Sequence, residues 1–316
     1  MILIISHAKD EHTHAVQAEL HRIGAEAAML DLSDFPQQMR LNARYDGADR
    51  PGFRLRLSDG TRLDLGACRS AWWRRPQAFS LHPEIQDPIY QNFAFSEATE
   101  AFQGLWPALD VFWVNQPTRD SIAHRKIYQL QVAQQVGLTI PETLITNDPE
   151  QARAFVEAHG FGQTIYKAFT GTRQAWRETR LLKEDDFGHI ESVRFAPVIF
   201  QRYVDAQVDL RITVVGNDLF PAAIHSQESS YKVDFRMDMS SARVEPHRLP
   251  PAVEDGLRAL MKELGIVYGA VDMRLTPHGE YVFLEVNPAG QWLFIEARTG
   301  QPITTCLSHL LASQPK

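Results

Sequence analysis

The chain comprises 316 residues, 44% hydrophobic and 22% charged, with a formal net charge of −7. This length holds two or three domains, and the acidic balance argues against a general nucleic-acid surface, which needs a basic face. No apolar run approaches a bilayer span, MILIISHAKD turns polar after Ile5 unlike a signal peptide, and Cys68 and Cys306 stand in unrelated contexts, so the expectation is a cytoplasmic protein without a membrane span, a disulfide framework or a thiolate zinc site.

Residues 2–5, ILII, read as a buried strand. DEHTHAVQAELHRIG has helical apolar spacing and a closing Gly24, and AAMLDL returns as a strand. The βαβ order implies a parallel sheet. Without a G-x-G-x-x-G turn it implies no dinucleotide site. His12 and His14 do not face one another on a helix and are not read as a metal pair. In FRLRLSDGTRLDL, Phe53, Leu55 and Leu57 alternate with Arg54 and Arg56 ahead of an Asp59-Gly60 turn, giving a hairpin. SAWWRR reads as a strand, with Arg74 and Arg75 taken as surface arginines. A long helix over 83–109 and the segment VFWVNQP complete a first domain, 1–115.

SIAHRKIYQLQVAQQVGL reads as one helix stopped by Gly137. DPEQARAFVEAHG is another, with Asp148 as N-cap, Pro149 at the first position and Gly160 at the end. TIYKAF and PVIFQRYV read as strands, and the loop TGTRQAW leads into RETRLL, so 116–204 form a small α+β unit. Over 205–316, strands VDLRITVVG and LFPAAIHSQ flank Gly216-Asn217-Asp218. The amphipathic helix PAVEDGLRALMKELG follows, then strands GAVDMRL and YVFLEVNP around TPHGE, and a terminal helix PITTCLSHLLASQ. The fold class is α/β in the first domain and α+β beyond it.

Alternation sets Val271, Met273 and Leu275 on one face of their strand and Asp272 and Arg274 on the other. In YVFLEVNP it sets Val282, Leu284 and Val286 against Glu285 and Asn287. With an even-numbered hairpin loop, Asp272 lies opposite Glu285, their Cβ atoms about 4.5–5.5 Å apart. Like charges so close repel unless a cation intervenes. Two carboxylates and an amide carbonyl are hard oxygen ligands suited to Mg²⁺. Spacing leaves a second reading open, in which Glu285 pairs with Arg274 or another arginine. Lys126, at a helix start, reads on its own as solvated. Lys167, mid-strand in an apolar context, wants an anionic partner, and the FTGT loop behind it offers backbone N–H groups to phosphate.

The order of these features, from the helix-start lysine through the strand lysine, the glycine-bearing loop, FQRYV, DLR and VDMR to LEVNPAG, resembles the ATP-grasp ligases over about residues 115–300. FLEVNPAGQWLFIEARTGQPI is more particular. With MILIISHAKDEH, LDLSDFP and AWWRRP, it resembles the microviridin-type peptide-maturation enzymes, the graspetide macrocyclases. The resemblance implies an ATP-grasp fold behind an N-terminal βαβ, pre-ATP-grasp-like domain. In it, 116–204 form the nucleotide lid and 205–316 carry the metal and catalytic site. ATP and Mg²⁺ are the implied cofactors. Lys126 and Lys167 then bind phosphates, and a loop containing Thr170, Gly171 and Thr172 closes on ATP. Gln201, Arg202, Tyr203 and Val204 form the hinge that holds adenine, and Asp209 meets the ribose or orders the site. Asp272, Glu285 and Asn287 hold the metal, while Arg211 and Arg274 hold the γ-phosphate and the carboxylate being activated. The implied chemistry is phosphoryl transfer to a carboxylate, then attack by an amine or hydroxyl on the acyl phosphate.

Two departures stand out: Gln201 replaces a glutamate common in the family, and TGTRQAWRETR is poor in glycine for a phosphate loop. Trp176 reads as strand packing and Arg177 as a substrate contact. YKVDFR, at 231–236, reads as a connecting loop or a peptide contact. Gln291 and Trp292 are expected to meet the substrate. The leading function is ester or amide cross-linking of a precursor peptide. The alternatives are ligation of a small amino acid or free carboxylate to an amine, and a nucleotide-binding regulator without ligase activity. The expected partners exclude nucleic acid and membrane, and related enzymes suggest a homodimer.

Overall fold

A computed structural model describes residues 1–47, 51–169, 179–228 and 242–315. The expectations for Thr170, Gly171, Thr172, Trp176, Arg177 and the segment 231–236 fall outside the described residues.

β1 (Ile2–Ile5), α1 (Glu11–Arg22) and β2 (Ala27–Leu30) form the expected βαβ unit, with the two strands parallel. β3 (Arg40–Arg44), β4 (Gly52–Arg56) and β5 (Arg62–Asp64) make an antiparallel sheet in which Phe53 and Leu55 turn inward and Arg54 and Arg56 outward. β6 (Ser70–Trp73), α2 (Pro88–Ala108) and β7 (Phe112–Val114) complete a parallel sheet of order β2-β1-β6-β7. Every residue of β1 is buried, as an inner parallel strand requires. Functional loops of such sheets gather at the carboxyl ends of the strands. Here that edge presents Asp10, Arg74 and Asn115.

The segment expected as one helix over 121–138 is two, α3 (Pro117–Ala123) and α4 (Lys126–Gln135). Gln129 holds the break. Its Nε2 donates to the Ala123 carbonyl at 2.5 Å and to the Val286 carbonyl at 2.8 Å, and its Oε1 accepts the Val286 N–H at 3.1 Å. Periodicity runs through the break because both helices pack on one core. The break places Lys126 at the first position of α4.

β8 (Thr143–Thr146), α5 (Pro149–His159), β9 (Thr164–Lys167), β10 (Arg180–Leu181), α6 (Glu184–Phe187) and β11 (Val198–Arg202) follow, their strands antiparallel in the order β10-β9-β11-β8. Asp148 caps α5 as expected, accepting the Glu150 N–H at 2.9 Å.

β12 (Val208–Val215), β13 (Asp218–Ile224), β14 (Val244–Pro246), α7 (Pro251–Leu264), β15 (Tyr268–Leu275) and β16 (Tyr281–Asn287) build an antiparallel sheet of order β14-β13-β12-β15-β16. α8 (Leu293–Thr299) and α9 (Ile303–Ala312) close the chain. One face of this sheet packs Leu210, Ile212, Val271 and Met273 against α4 and α7. The other face is divided. Val215 and Tyr268 lie under Ile2, Ile4 and Trp72 of the N-terminal sheet and Ile295 and Leu307 of the last helices. Further along the same strands, Asp209, Arg211, Asp272 and Arg274 carry the charge. Among the described residues no helix is long and apolar enough to cross a membrane.

The strict alternation expected along β16 fails at one point. Asp272 pairs with Glu285 but Met273 pairs with Phe283, so Leu284 is the extra residue of a β-bulge. Tyr281 and Phe283 therefore share the core cluster of Val286. Val282 and Leu284 do not share a face with Val286 as alternation predicted. The loop from Thr276 to Glu280 is odd rather than even as expected, and the bulge is what brings Glu285 opposite Asp272 and sets Asn287 opposite Ala270.

Candidate active site

β12 and β15 each carry an Asp-x-Arg sequence. Their antiparallel register sets Asp209 opposite Arg274 and Arg211 opposite Asp272. Each aspartate thus meets the arginine of the other strand. Arg211 Nη1 donates to Asp272 Oδ1 at 2.7 Å, and Arg274 Nε donates to Asp209 Oδ1 at 2.9 Å, with none of the four side chains more than 9% exposed. Buried ions persist only when paired and further hydrogen-bonded, and both pairs are. Ser226 Oγ donates to Asp209 Oδ2. Arg274 donates to the Val204 carbonyl at 2.7 Å and lies 5.1 Å from the Tyr203 ring. Arg211 donates to the Gln291 carbonyl at 3.1 Å, and its Nε is a buried donor with no hydrogen-bond partner among the described residues. A Cβ on Gly290 would lie 2.3 Å from Ala270 Cβ and 2.9 Å from Arg211 Nη2, so only glycine allows this approach.

The third strand adds Glu285, directly opposite Asp272. Its ion-pair partner is Lys126, whose Nζ donates to Glu285 Oε2, with the two side chains 23% and 20% exposed. The lysine at the start of α4, which spacing did not offer as a partner, thus pairs with Glu285. Asn287 is exposed, and its Oδ1 accepts the Ala289 N–H at 3.0 Å. The donors fit Mg²⁺. Two carboxylates stand opposite each other on one face and an amide oxygen follows, while the unsatisfied Arg211 N–H beside them suits the phosphate such an ion carries rather than the ion itself. Among the described residues no group of three or more His, Cys, Asp or Glu side chains converges. Mg²⁺ does not need one, because one or two carboxylates suffice when substrate phosphates and water complete the shell.

The hinge residues lie on and after β11. Lys167 Nζ donates to Gln201 Oε1 at 3.3 Å, and Gln201 Nε2 donates to Thr143 Oγ1 at 2.8 Å. Gln201 is buried while Arg202 is exposed. The Arg202 and Tyr203 N–H groups donate to Glu142 and Gln163 carbonyls at 2.9 and 2.7 Å. Arg274 ties this segment to the charged ladder through Val204.

Sequence reasoning missed a buried polar cluster from the N-terminal sheet. Arg74 is not a surface residue: it is 1% exposed, and its Nε donates to Asp10 Oδ2 at 3.1 Å. Trp292 is not open to substrate either. It is fully buried, packed edge-on to His12 and near Trp72 and Tyr268, with its Nε1 donating to Thr304 at 3.0 Å. Gln291, beside it, is exposed. The sequence signal was the adjacency of two tryptophans and two arginines at a strand end, where the ordinary exposure of arginine suggested a surface.

Burial opposes ionisation of Asp10, but hydrogen bonds from His12 and Thr13 and the Arg74 charge outweigh it and hold its carboxyl far below the usual carboxylate range. Burial pushes the Tyr268 phenol up to about 12, so it remains a donor. Burial, with the Arg74 and Arg75 charges, lowers the His12 pKa against the pull of Asp10. Neutral His12 is what the site requires, because its Nε2 accepts the Trp292 N–H at 3.1 Å. A base whose folded pKa lies below its unfolded value contributes stability above the unfolded value and loses it as pH falls. The chain is therefore expected to lose stability on acidification below the ordinary histidine value of 6.5. His12→Gln supplies an acceptor that does not titrate, and should flatten that slope in denaturant melts taken across pH. An unchanged slope would remove His12 as its source.

Residues 1–121 match the family model of the MvdD pre-ATP grasp domain, and residues 123–310 match that of the RimK-like ATP-grasp domain. The structure is similar to the macrocyclase MdnC bound with precursor peptide MdnA from Microcystis aeruginosa MRC, with 29% identity, TM-score 0.86, and 98% of this chain and 99% of that one covered. It is also similar to a Chryseobacterium gregarium RiPP-associated ATP-grasp ligase in complex with ADP and a leader and core peptide, with 27% identity, TM-score 0.89, and 98% and 96% covered. A probable alpha-L-glutamate ligase of Shewanella amazonensis is 26% identical over 216 residues, 65% of this chain and 70% of its own. With a family match over more than half its length, this chain belongs to the RimK-like ATP-grasp family, and is an ATP-grasp ligase that uses ATP and Mg²⁺ behind a pre-ATP-grasp domain.

Proposed function

We propose that this ligase cross-links side chains of a precursor peptide. The observation that carries the reading is similarity to the macrocyclase MdnC along 98% of the chain, N-terminal domain included. The γ-phosphoryl group of ATP passes to a side-chain carboxylate, giving ADP and an acyl phosphate. A hydroxyl or amine of the same peptide attacks the acyl carbon, phosphate leaves, and the peptide loses one water per link. Mg²⁺, when bound, neutralises charge on the transferring phosphate.

The residues divide this work. Asp272, Glu285 and Asn287 would hold the metal. Lys126 balances Glu285 and stands ready for phosphate once the carboxylate turns to Mg²⁺. Arg211, with its unsatisfied Nε, faces the transferred group or the activated carboxylate. Arg274 and Asp209 brace the hinge to the sheet. Gln201, Arg202, Tyr203 and Val204 receive the base. Lys167 reaches the phosphates, and Gly171 and Thr172 remain assigned to the covering loop. The units 1–115, 116–204 and 205–316 then act as platform, lid and catalytic base.

The test is ADP release with short peptides encoded beside the gene, followed by mass measurement. Peptide-dependent release with water loss is expected. Release with free L-glutamate and an amine alone would favour the second reading, for which the similarity to the glutamate ligase speaks. Nucleotide binding without any release would favour the regulator. Lys167→Ala should weaken ATP binding about tenfold to a hundredfold, the worth of a hydrogen bond to a charged group. Unchanged affinity in a calorimetric titration would remove Lys167 from the phosphate site.

A further inference from the structure

The segment after the metal-bearing strand is gripped at successive peptide groups by side chains. Asn115 Nδ2 donates to the Pro288 carbonyl at 3.3 Å. Arg74 Nη1 donates to the Ala289 and Gly290 carbonyls at 2.6 and 2.9 Å. Tyr268 adds its hydroxyl to the Gly290 carbonyl at 2.8 Å. Arg211 takes the Gln291 carbonyl, and His12 accepts the Trp292 N–H. Four consecutive carbonyls thus each receive a side-chain donor. Surface loops ordinarily leave such carbonyls to water.

Arg74 is central to this grip. Its side chain is fully buried, its Nε is fixed by Asp10, and its guanidinium carbon lies 5.1 Å from the Trp292 ring centroid. Asp10 is itself held by Thr13 Oγ1 at 2.9 Å. Burying an arginine this completely is costly, and this one spends its Nη1 on Ala289 and Gly290, two of the three residues between Asn287 and Gln291. Asn287 is bound from the near side, because its Oδ1 and carbonyl accept the Ala289 and Gly290 N–H groups at 3.0 and 3.1 Å. Arg211 is bound from the far side through Gln291.

We propose that Arg74 is a positioning residue for phosphoryl transfer: from the N-terminal domain it fixes the 288–291 backbone, and through it the metal ligand Asn287 and the phosphate-facing Arg211. This rests on the roles proposed above for Asn287 and Arg211. It makes the pre-ATP-grasp domain a component of the metal and phosphate site, because Arg74 and Asn115, at the ends of β6 and β7, hold three of the four carbonyls. Partners that orient metal ligands typically govern affinity about 10–100-fold.

The test is calorimetric titration of the full chain with ADP, once with Mg²⁺ and once with EDTA. Arg74→Gln should reduce the Mg²⁺ enhancement of ADP affinity about tenfold and leave metal-free ADP affinity unchanged, since hinge and Lys167 contacts lie elsewhere. Arg74→Lys and Tyr268→Phe should reduce it less. These two variants keep the test decisive should Arg74→Gln fail to fold. Asn287→Ala is the control. If it lowers the Mg²⁺ enhancement while all Arg74 and Tyr268 variants match the parent, the positioning role is overturned. Equal losses with and without Mg²⁺ would reduce Arg74 to a structural role and overturn it as well. An Asn287→Ala chain with unaltered Mg²⁺ enhancement would overturn the metal reading itself, and the inference with it.

Discussion

Glu285→Gln should abolish Mg²⁺-dependent turnover, by at least about 100-fold, while leaving the chain folded. Glutamine keeps the shape and one acceptor oxygen but removes the charge that stands opposite Asp272 and beside Lys126. A hard divalent cation held by two carboxylates loses half of the charge that holds it. The folded state loses little, because both members of the Lys126–Glu285 pair remain about a fifth exposed and water can screen the orphaned ammonium. Such a half-screened pair is worth about 1 kcal/mol or less. ADP release against Mg²⁺ concentration, alongside thermal unfolding, separates the two effects. Full activity at ordinary Mg²⁺ would end the metal assignment. Restored turnover at raised Mg²⁺ would fit a weakened site.

The elements of this fold were legible where local pattern alone decides them. β1, α5 with its Asp148 cap, and the β15–β16 hairpin follow from alternation, capping and turn chemistry. The opposition of Asp272 and Glu285 was expected from an even-numbered hairpin loop, but the loop from Thr276 to Glu280 is odd, and the two carboxylates face each other only because the bulge shifts the register by one. What local pattern does not contain is a bulge or a docking partner. Leu284 is one residue too many for its strand, and nothing in YVFLEVNP marks it. Arg74 follows two tryptophans on a short strand and reads as solvated until another domain is laid over it. Its partners Ala289 and Gly290 lie more than 200 positions away. Trp292 was assigned to substrate for the same reason: an aromatic after a loop looks free until the partner domain covers it. The charged ladder was half legible. Each Asp-x-Arg was visible, but their reciprocal pairing depends on the β12–β15 register, which no hairpin between them sets.

That reciprocal pairing leads to the second large effect. Asp272→Ala should cost activity and also about 3–5 kcal/mol of stability, because it leaves Arg211 charged and buried without its carboxylate. The effect differs from that of Glu285→Gln, whose partner keeps contact with water. Removing both ions at once should behave otherwise. Arg211→Met combined with Asp272→Leu replaces a pair at most 9% exposed with apolar side chains of similar size. Such exchanges of buried pairs are often neutral or stabilising. The double variant should therefore recover most of the stability lost in Asp272→Ala. The Gln291 carbonyl loses its guanidinium donor, but Gln291 is exposed and water can replace it. Turnover should not return, because the double variant lacks both the carboxylate proposed to hold the metal and the guanidinium proposed to face the phosphate. Denaturant melts of the single and double variants, with ADP release on each, test both halves. A double variant as unstable as Asp272→Ala would mean the uncompensated charge was not the cause of the loss. A stable double variant that still released ADP at the parent rate would mean that this pair braces the sheet and takes no part in the chemistry.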